Sequence, residues 1–314
     1  MLLNGELRRM HSRTSLGKRF LHDISHPILR WGYIFVIPGI LSYLLFTFYP
    51  TIRCLVQSLH LIRGAGNPWV YNGINNYLEI FKDRIFWGSL GNTFYYVALT
   101  IPVGTAISLL LAVVLNSIVR ARGFFRALYF IPSVAGVIAV GIVFNWMYEP
   151  YLGVLNLLLG KLGLPRLNWL RDLKLALPSI AIMNIWQTLG YNVVIFLAGL
   201  LAIPAELYEA AEIDGTTAAR KLWSITVPLV APSMWFVIIN NTIRNLQVFS
   251  EIFVTTGGGP GHATTTVGFR VYQYAFLFLS FGKASANVMV LLAIILTVTL
   301  LQLRFFERRT QVEF

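Results

Sequence analysis

The residues able to do chemistry lie in two polar stretches embedded in apolar sequence. The first runs through Asn184, Trp186, Gln187, Thr188, Tyr191 and Asn192. The second runs through Asn240, Asn241, Arg244, Asn245, Gln247 and Glu251. On a helix, Asn184, Thr188 and Tyr191 fall at i, i+4 and i+7, which is one face. Asn241, Arg244 and Asn245 share a face of a second helix, with Gln247 just beside it. Polar side chains in lipid are costly and face a bundle interior or a wet cavity. Amides and hydroxyls both donate and accept, and an aromatic ring offers a platform for the C–H face of a sugar ring. Asn184, Thr188, Tyr191, Asn241, Arg244, Asn245 and Gln247 are therefore read as lining a membrane cavity for a neutral polyol. The competing reading is hydrogen bonding between helices, and Arg244 has an alternative partner in Glu251.

No bond-making chemistry accompanies these amides. The single cysteine, Cys54, excludes an internal disulfide framework and a cysteine-based metal site. The five histidines are scattered and none lies in a His-Glu-x-x-His pattern, so a zinc hydrolase has no support. Thr255 to Thr266 reads TTGGGPGHATTT and invites a phosphate-binding reading. No Lys-Ser or Lys-Thr follows the glycines, so it is not a Walker A loop. No other segment supplies a nucleotide site. The energy source is expected on a partner chain, and this chain is expected to hold no catalytic residue, metal or cofactor of its own.

Membrane helices must position these side chains. The chain has 314 residues, 56% hydrophobic and 12% charged, with mean hydropathy +0.67. A soluble core does not need that much apolar sequence. The net charge of +12 could suggest a nucleic-acid partner, but the basic residues cluster beside apolar runs instead of on one soluble face. A helix needs roughly 20 apolar residues to cross the hydrocarbon core. Six segments qualify: Trp31–Cys54, Trp87–Leu115, Leu128–Tyr148, Leu175–Leu201, Ser233–Val254 and Ala284–Leu303. Pro38, Pro102 and Pro132 lie within or near them, where kinks are tolerated.

The expected fold is an all-α membrane protein with six transmembrane helices. A basic tail covers 1–30, the spanning domain 31–304, and a second tail 305–314. The first tail carries Arg8, Arg9, Arg13, Lys18, Arg19 and Arg30. It is too long for the basic region of a cleavable signal, and the apolar run after it is span-length. With the N-terminus inside, the inner segments hold fourteen Lys and Arg, against nine outside from Arg53 to Arg270. That bias favours N-in and C-in. The first outer loop, about 55–86, contains a short amphipathic stretch from Asn75 to Phe81. The second, Glu149 to Lys174, contains Tyr151–Leu164, which is too short to span and is read as a helix at the outer interface. Trp69, Trp87, Trp146 and Trp169 suit interface anchoring.

One inner segment, Glu206 to Pro232, is unlike its apolar neighbours. It carries Glu206, Glu209, Glu212, Asp214, Arg220 and Lys221. Glu206 to Ile213 favours helix and Asp214-Gly215 breaks it. Thr217 to Val227 reads as a second helix, capped by Asp214 or Thr216. Pro228 and Pro232 stop it and open the next span. The product is a compact helix-turn-helix over 205–232 at a membrane surface.

This segment resembles the EAA loop of permease subunits in ATP-binding-cassette importers. Glu209, Ala210, Ala211, Asp214, Gly215, Ile225, Pro228 and Pro232 match that pattern in order. Thr216 stands where Ala is usual, and Leu222 where an aromatic is usual. TGGGPG with its following threonines, RNLQVFSEIFVTTGGGP and NIWQTLGYNVVIFLAGLLAIP extend the likeness from about Trp31 to the C-terminus. They look like the first permease subunit of maltose-type and glycerol-phosphate-type carbohydrate importers. The first outer loop lacks the large periplasmic insertion of some members.

The resemblance implies a cytoplasmic coupling loop in which Glu209, Ala210, Ala211, Asp214, Gly215 and Pro228 dock into an ATPase cleft. It implies a second similar permease, two ATPase subunits that hold ATP and Mg, an extracytoplasmic solute-binding protein and membrane lipid, with no nucleic acid. It implies a multi-pass protein of a prokaryotic inner or plasma membrane that translocates a sugar or oligosaccharide. In the maltose-type system sugar contacts lie on the same two spans, and Asn184, Thr188, Tyr191, Asn245 and Gln247 stand near matching positions. Two alternatives stay open. A glycerol phosphate ester would welcome Arg244. An ion-driven transporter would need intramembrane carboxylates, for which Glu251 is the candidate.

Overall fold

The structure is a computed structural model that describes residues 27–64, 66–117 and 122–310. Most of the expected N-terminal tail, Arg120 and residues 311–314 lie outside the described residues. The chain divides into two compact units, Met1–Val56 and Gln57–Phe314. The first is carried by helix α1 (Pro27–Tyr43), a π-helical turn (Leu44–Phe48) and most of α2 (Tyr49–Ser58). Its apolar side chains from Ile34 to Ile52 are exposed. Helix satisfies every backbone group internally, which an apolar run in lipid requires.

The second unit opens with an antiparallel pair, β1 (His60–Leu61) and β2 (Val70–Tyr71). Helices α3 (Asn75–Lys82) and α4 (Arg84–Ser117) follow, then α5 (Arg122–Val134), α6 (Val137–Met147), α7 (Val154–Lys161) and α8 (Ala176–Leu201). Next come α9 (Ala205–Ile213), α10 (Ala218–Lys221), a π-helical turn (Leu222–Thr226), α11 (Val227–Leu229) and α12 (Ala231–Leu246). The chain closes with α13 (Ser250–Thr255), α14 (Val267–Tyr272), a third π-helical turn (Gln273–Leu277) and α15 (Phe281–Thr310). Among the described residues four helices are long and apolar enough to cross a membrane, or up to six if each of two bent pairs is one span.

The post of the bundle is α4. Its buried residues Phe86, Ser89, Thr93, Tyr96, Thr100, Gly104, Ser108, Ala112 and Leu115 recur every three or four positions. That spacing makes one stripe. Most of the stripe is small, which lets α8 approach closely, the packing device that lipid favours. The approach is tighter still where α5 crosses α8. A Cβ added at Gly190 would stand 1.9 Å from the Tyr129 carbonyl oxygen, whereas one at Gly104 would meet Ile185 at 3.7 Å.

Two expected spans are broken. Leu128–Tyr148 is not one rod: α5 and α6 meet at 104° across Ala135 and Gly136. Pro132 lies inside α5, and the backbone freed at the bend is satisfied from α8, where Gln187 Nε2 donates to the Ala135 carbonyl at 3.1 Å. Ser133 Oγ donates to the Gln187 carbonyl at 2.9 Å and accepts the Tyr191 N–H at 3.2 Å. Ser233–Val254 is likewise interrupted. Helix α12 stops at Leu246, Phe249 leaves helical geometry at φ −142°, and α13 starts afresh at Ser250.

Loops at the far end of α4 are built from side chains that spend their polarity locally. Asn76 is buried and donates to the Ser58 and His60 carbonyls. In the glycine-rich loop Thr264 donates to Gly259, Thr265 to Gly258 and Thr266 to Val248, all carbonyl oxygens. The first two hydroxyls hold the loop's own backbone, and the third ties it to the segment after α12. Asp83, between α3 and α4, accepts from Arg270 and from the Tyr274 hydroxyl at 3.0 Å. The Arg270 guanidinium also lies 4.5 Å from the centre of the Tyr274 ring. Partial burial pushes the Asp83 carboxyl up. The Ile85 N–H, the Tyr274 hydroxyl and Arg270 outweigh it and hold the group below the usual carboxylate range.

A depressed folded-state pKa contributes stability above the unfolded value, and that stability is lost as pH falls through the folded value. The melting temperature of the purified protein should therefore decline below the ordinary carboxylate range. Asp83→Asn should melt lower at neutral pH and decline less in acid; an unchanged acid limb in the variant would remove this cluster from the account. In the same assay Gly190→Ala should cost roughly 2 kcal/mol, because a methyl is driven into backbone, while Gly104→Ala should be nearly neutral.

Candidate translocation recess and coupling elbow

A polar recess of 270 Å³ opens where the α5–α6 bend, α8, α12 and α13 meet. Ser133 and Val137 line it from the bend, and Asn184, Gln187, Thr188 and Tyr191 from α8. Arg244 enters from α12, and Ser250 and Glu251 from α13. The four α8 residues share a face because their spacing is three to four residues. Asn184 Nδ2 donates to Glu251 Oε1 at 3.3 Å. Thr188 returns its hydroxyl proton to the Asn184 carbonyl at 2.8 Å, which leaves its oxygen free to accept. The lining thus offers amide donors and acceptors, four hydroxyls, a guanidinium and a carboxylate. A second recess, 340 Å³, is lined by Leu115, Asn116, Gly123, Val194, Leu197, Ala198 and Leu201. It is nearly all apolar and gives a hydroxylated solute little to bind.

Asn184, Thr188, Tyr191 and Arg244 are thus brought together, and Asn241, Asn245 and Gln247 are not among the lining. Asn241 is buried and donates to Asn192 Oδ1 at 3.1 Å, joining α12 to α8. Asn245 is buried and donates to Thr100 Oγ1 at 2.8 Å, joining α12 to α4. Gln247 is exposed and donates to the Ile243 carbonyl one turn back. These positions take the interhelical and capping roles within this chain. Ser133, Val137 and Ser250 were not among the sequence candidates, because only the two breaks carry them to the recess. Gln187 and Glu251 lay in the polar stretches; the i+3 step from Asn184 could have singled out Gln187.

The acidic inner segment forms an elbow. Helix α9 ends at Gly215, whose φ is +67°. The Thr216 N–H reaches the Ala211 carbonyl at 2.9 Å and the Gly215 N–H reaches that of Glu212 at 3.0 Å. That pair of bonds is the usual glycine-terminated helix end. The N-cap of α10 is Thr217, in place of the expected Asp214 or Thr216, and it accepts the Arg220 N–H at 3.4 Å. Its extended backbone, ψ 155°, lets its oxygen reach back over the first turn. The Tyr208 hydroxyl lies 3.0 Å from Thr226 Oγ1 and braces one arm against the other. Lys221 Nζ donates to Glu212 Oε1 at 2.8 Å and, by hydrogen bond and charge, holds that exposed carboxyl below its usual range.

Glu209, Ala210, Asp214, Gly215 and Pro228 lie exposed on this elbow, and Ala211 turns inward and is buried. Two large apolar side chains stand out beside them: Ile213 is 88% exposed and Trp223 69%. Elbow and recess share elements. Helix α8 leads into α9 through Ala202–Pro204, and α12 follows α11 after a bend of 69°.

Comparison with known proteins agrees with this architecture. The sn-glycerol-3-phosphate transport system permease protein UgpA of Agrobacterium fabrum is 33% identical over 88% of this chain and 94% of its own length. The lactose transport system permease protein LacF of Rhizobium radiobacter is 34% identical over 93% of this chain and 96% of its own. The sulfoquinovosyl glycerol permease SmoG of Agrobacterium fabrum is 34% identical over 83% and 85%. Among solved structures, a chain of a bacterial ABC transporter that imports the acidic polysaccharide alginate superposes with a TM-score of 0.80. It covers 93% of this chain and 100% of that one at 23% identity, so the two share a fold. Residues 86–312 match the binding-protein-dependent transport system inner membrane component, and the chain belongs to that family.

Proposed function

We propose that this chain is a transmembrane permease subunit of an ATP-driven importer, and that it passes a carbohydrate received from a solute-binding protein. A second permease completes the pore and two ATPase subunits hold ATP and Mg. The four long helices, the bent α5–α6 pair, and α12 with α13 count as six spans, with both termini in the cytoplasm. Lys283, just before the last span, adds one basic residue to the outer count, and the bias still favours this orientation. The spanning domain covers 31–304, with the coupling elbow at 205–232 and tails at 1–30 and 305–314.

The observation that carries the reading is the elbow. Ile213 and Trp223 are exposed on a braced turn between two helices that both wall the recess. Large apolar side chains presented to water are the anchor type of a protein–protein interface. An ATPase cleft that grips this turn moves α8 and α12 together, and with them Asn184, Thr188 and Tyr191 on one wall and Arg244 on the other. For ATP to shift the access state, the ATPases must contact the two states differently. This chain contributes the lever and the lining, and the hydrolysis is done elsewhere.

The solute reading rests on the lining. Asn184, Gln187, Thr188, Ser133 and Ser250 suit hydroxyls, and Tyr191, 37% exposed, supplies the ring. The relatives carry glycerol phosphate, lactose and a sulfoquinovosyl glycerol, which share a hydroxylated carbon chain.

Gly215→Asp should abolish ATP-driven uptake in proteoliposomes while leaving the protein in the membrane. A Cβ there meets nothing within 4 Å, but a φ of +67° strains any side chain, so a melting temperature unchanged from wild type is the control that assigns the loss to docking; uptake at the wild-type rate would refute the coupling role. Tyr191→Ala should lower substrate-stimulated ATPase activity about tenfold, as loss of a ring platform worth on the order of 1 kcal/mol or more would do, with basal hydrolysis unchanged. An unaltered stimulation removes Tyr191 from the solute path.

A further inference from the structure

The recess is lined by one guanidinium and one carboxylate, Arg244 and Glu251. They come from different helices, on either side of the break at Phe249. Among the described residues no ion pair joins them, and both line the same recess. Glu251 is instead engaged by the Asn184 amide, which donates to one of its oxygens at 3.3 Å. An amide N–H and a nearby guanidinium are partners for a carboxylate, so the two charges face the same small space and offset each other.

We propose that Glu251 is the specificity-determining residue of this recess: balancing Arg244, it selects neutral polyhydroxylated solutes and rejects anionic ones. The inference rests on the carbohydrate-permease reading and narrows its substrate class. A hydroxyl group can accept from Arg244 and donate to Glu251, and both bonds are charge-assisted. A phosphate or carboxylate ester has no proton to give Glu251. It would also bring like charge into a confined site of low dielectric, where repulsion is costly. Arg244 alone would read as an anion hook; the pair reads as a polyol clamp. Ser133, Gln187 and Ser250 are uncharged and leave that balance intact.

The test uses the full transporter complex in nanodiscs without its binding protein, so that selection by the recess is read directly. The readout is the apparent dissociation constant from thermal shift, with two matched pairs of probes: glucose with glucose 6-phosphate, and glycerol with sn-glycerol 3-phosphate. Wild type should bind the neutral member of each pair more tightly. Glu251→Gln keeps the shape and removes the charge, so the phosphate ester should gain about tenfold or more relative to its neutral partner. Ser250→Lys, which leaves Glu251 and Asn184 in place, should shift the ratio in the same direction if the first variant fails to assemble. Equal binding of both members by wild type, no binding of either neutral probe, or a ratio unmoved in both variants would overturn the proposal. ATP-driven sugar uptake by the same complexes, reconstituted in proteoliposomes with the binding protein, separates the two readings. Uptake that persists with an unmoved ratio sinks only the charge-balance inference, and wild-type uptake by Gly215→Asp sinks the permease mechanism itself.

Discussion

Amide and hydroxyl pairs between helices are the interaction on which this bundle depends. Lipid gives apolar helices no reason to prefer one another over the bilayer, so packing detail and interhelical hydrogen bonds must select the partners. Helix α12 shows this most plainly. Asn241 reaches Asn192 on α8, Asn245 reaches Thr100 on α4, and Thr242 accepts from Gln302 on α15. One helix is thus tied to three neighbours. Each bond is modest, on the order of 0.6 kcal/mol in such settings, yet a buried amide left without its partner would cost more than the bond returns. Orientation about the α12 axis follows from that arithmetic. With Asn241 and Asn245 turned into the bundle, Arg244 faces the recess.

The same economy explains the α5–α6 bend. A break inside a membrane is tolerated only where the freed backbone finds donors and acceptors in protein. Gln187 supplies the donor at the Ala135 carbonyl, Ser133 ties the bend to the α8 backbone, and Gly190 allows the close approach that makes both reachable. The bend costs little because α8 covers it. In exchange it brings Ser133 and Val137 to the recess, where a straight span would carry them past.

Local signals were legible in the sequence, and signals that depend on partners were not. The elbow was readable because Gly215, the threonines before Ala218 and the prolines act within a few residues of themselves. One cap was misplaced, because adjacent threonines offer the same hydroxyl and only the extended backbone at Thr217 picks out the one that caps. Helical periodicity rightly placed Asn241 and Asn245 on one face, but could not say that the face belonged to α4 and α8. The grouping of Glu251 with Asn184 was invisible for a related reason. A continuous fifth span would have set Glu251 nearly two turns beyond Arg244, and only the break after Leu246 moves it to a separate helix beside α8. The Asp83–Arg270–Tyr274 cluster joins residues almost two hundred positions apart, and no motif announces it.

The size of the recess bears on the mechanism. Sites that fully enclose a drug-sized ligand run from roughly 300 to 1,000 Å³. At 270 Å³ this recess is too small to enclose an oligosaccharide and is open on one side. Under the proposed reading, the missing wall comes from the second permease, so neither subunit alone forms a tight site. That suits a transporter. A solute handed from a binding protein has to be held long enough to be gated and weakly enough to be released. Half-sites on two chains achieve this when the levers part them: moving α8 and α12 at the elbow separates the walls and dissolves the site. Affinity is then set by the access state, and the hydroxyl-reading residues need only be adequate in one of the two.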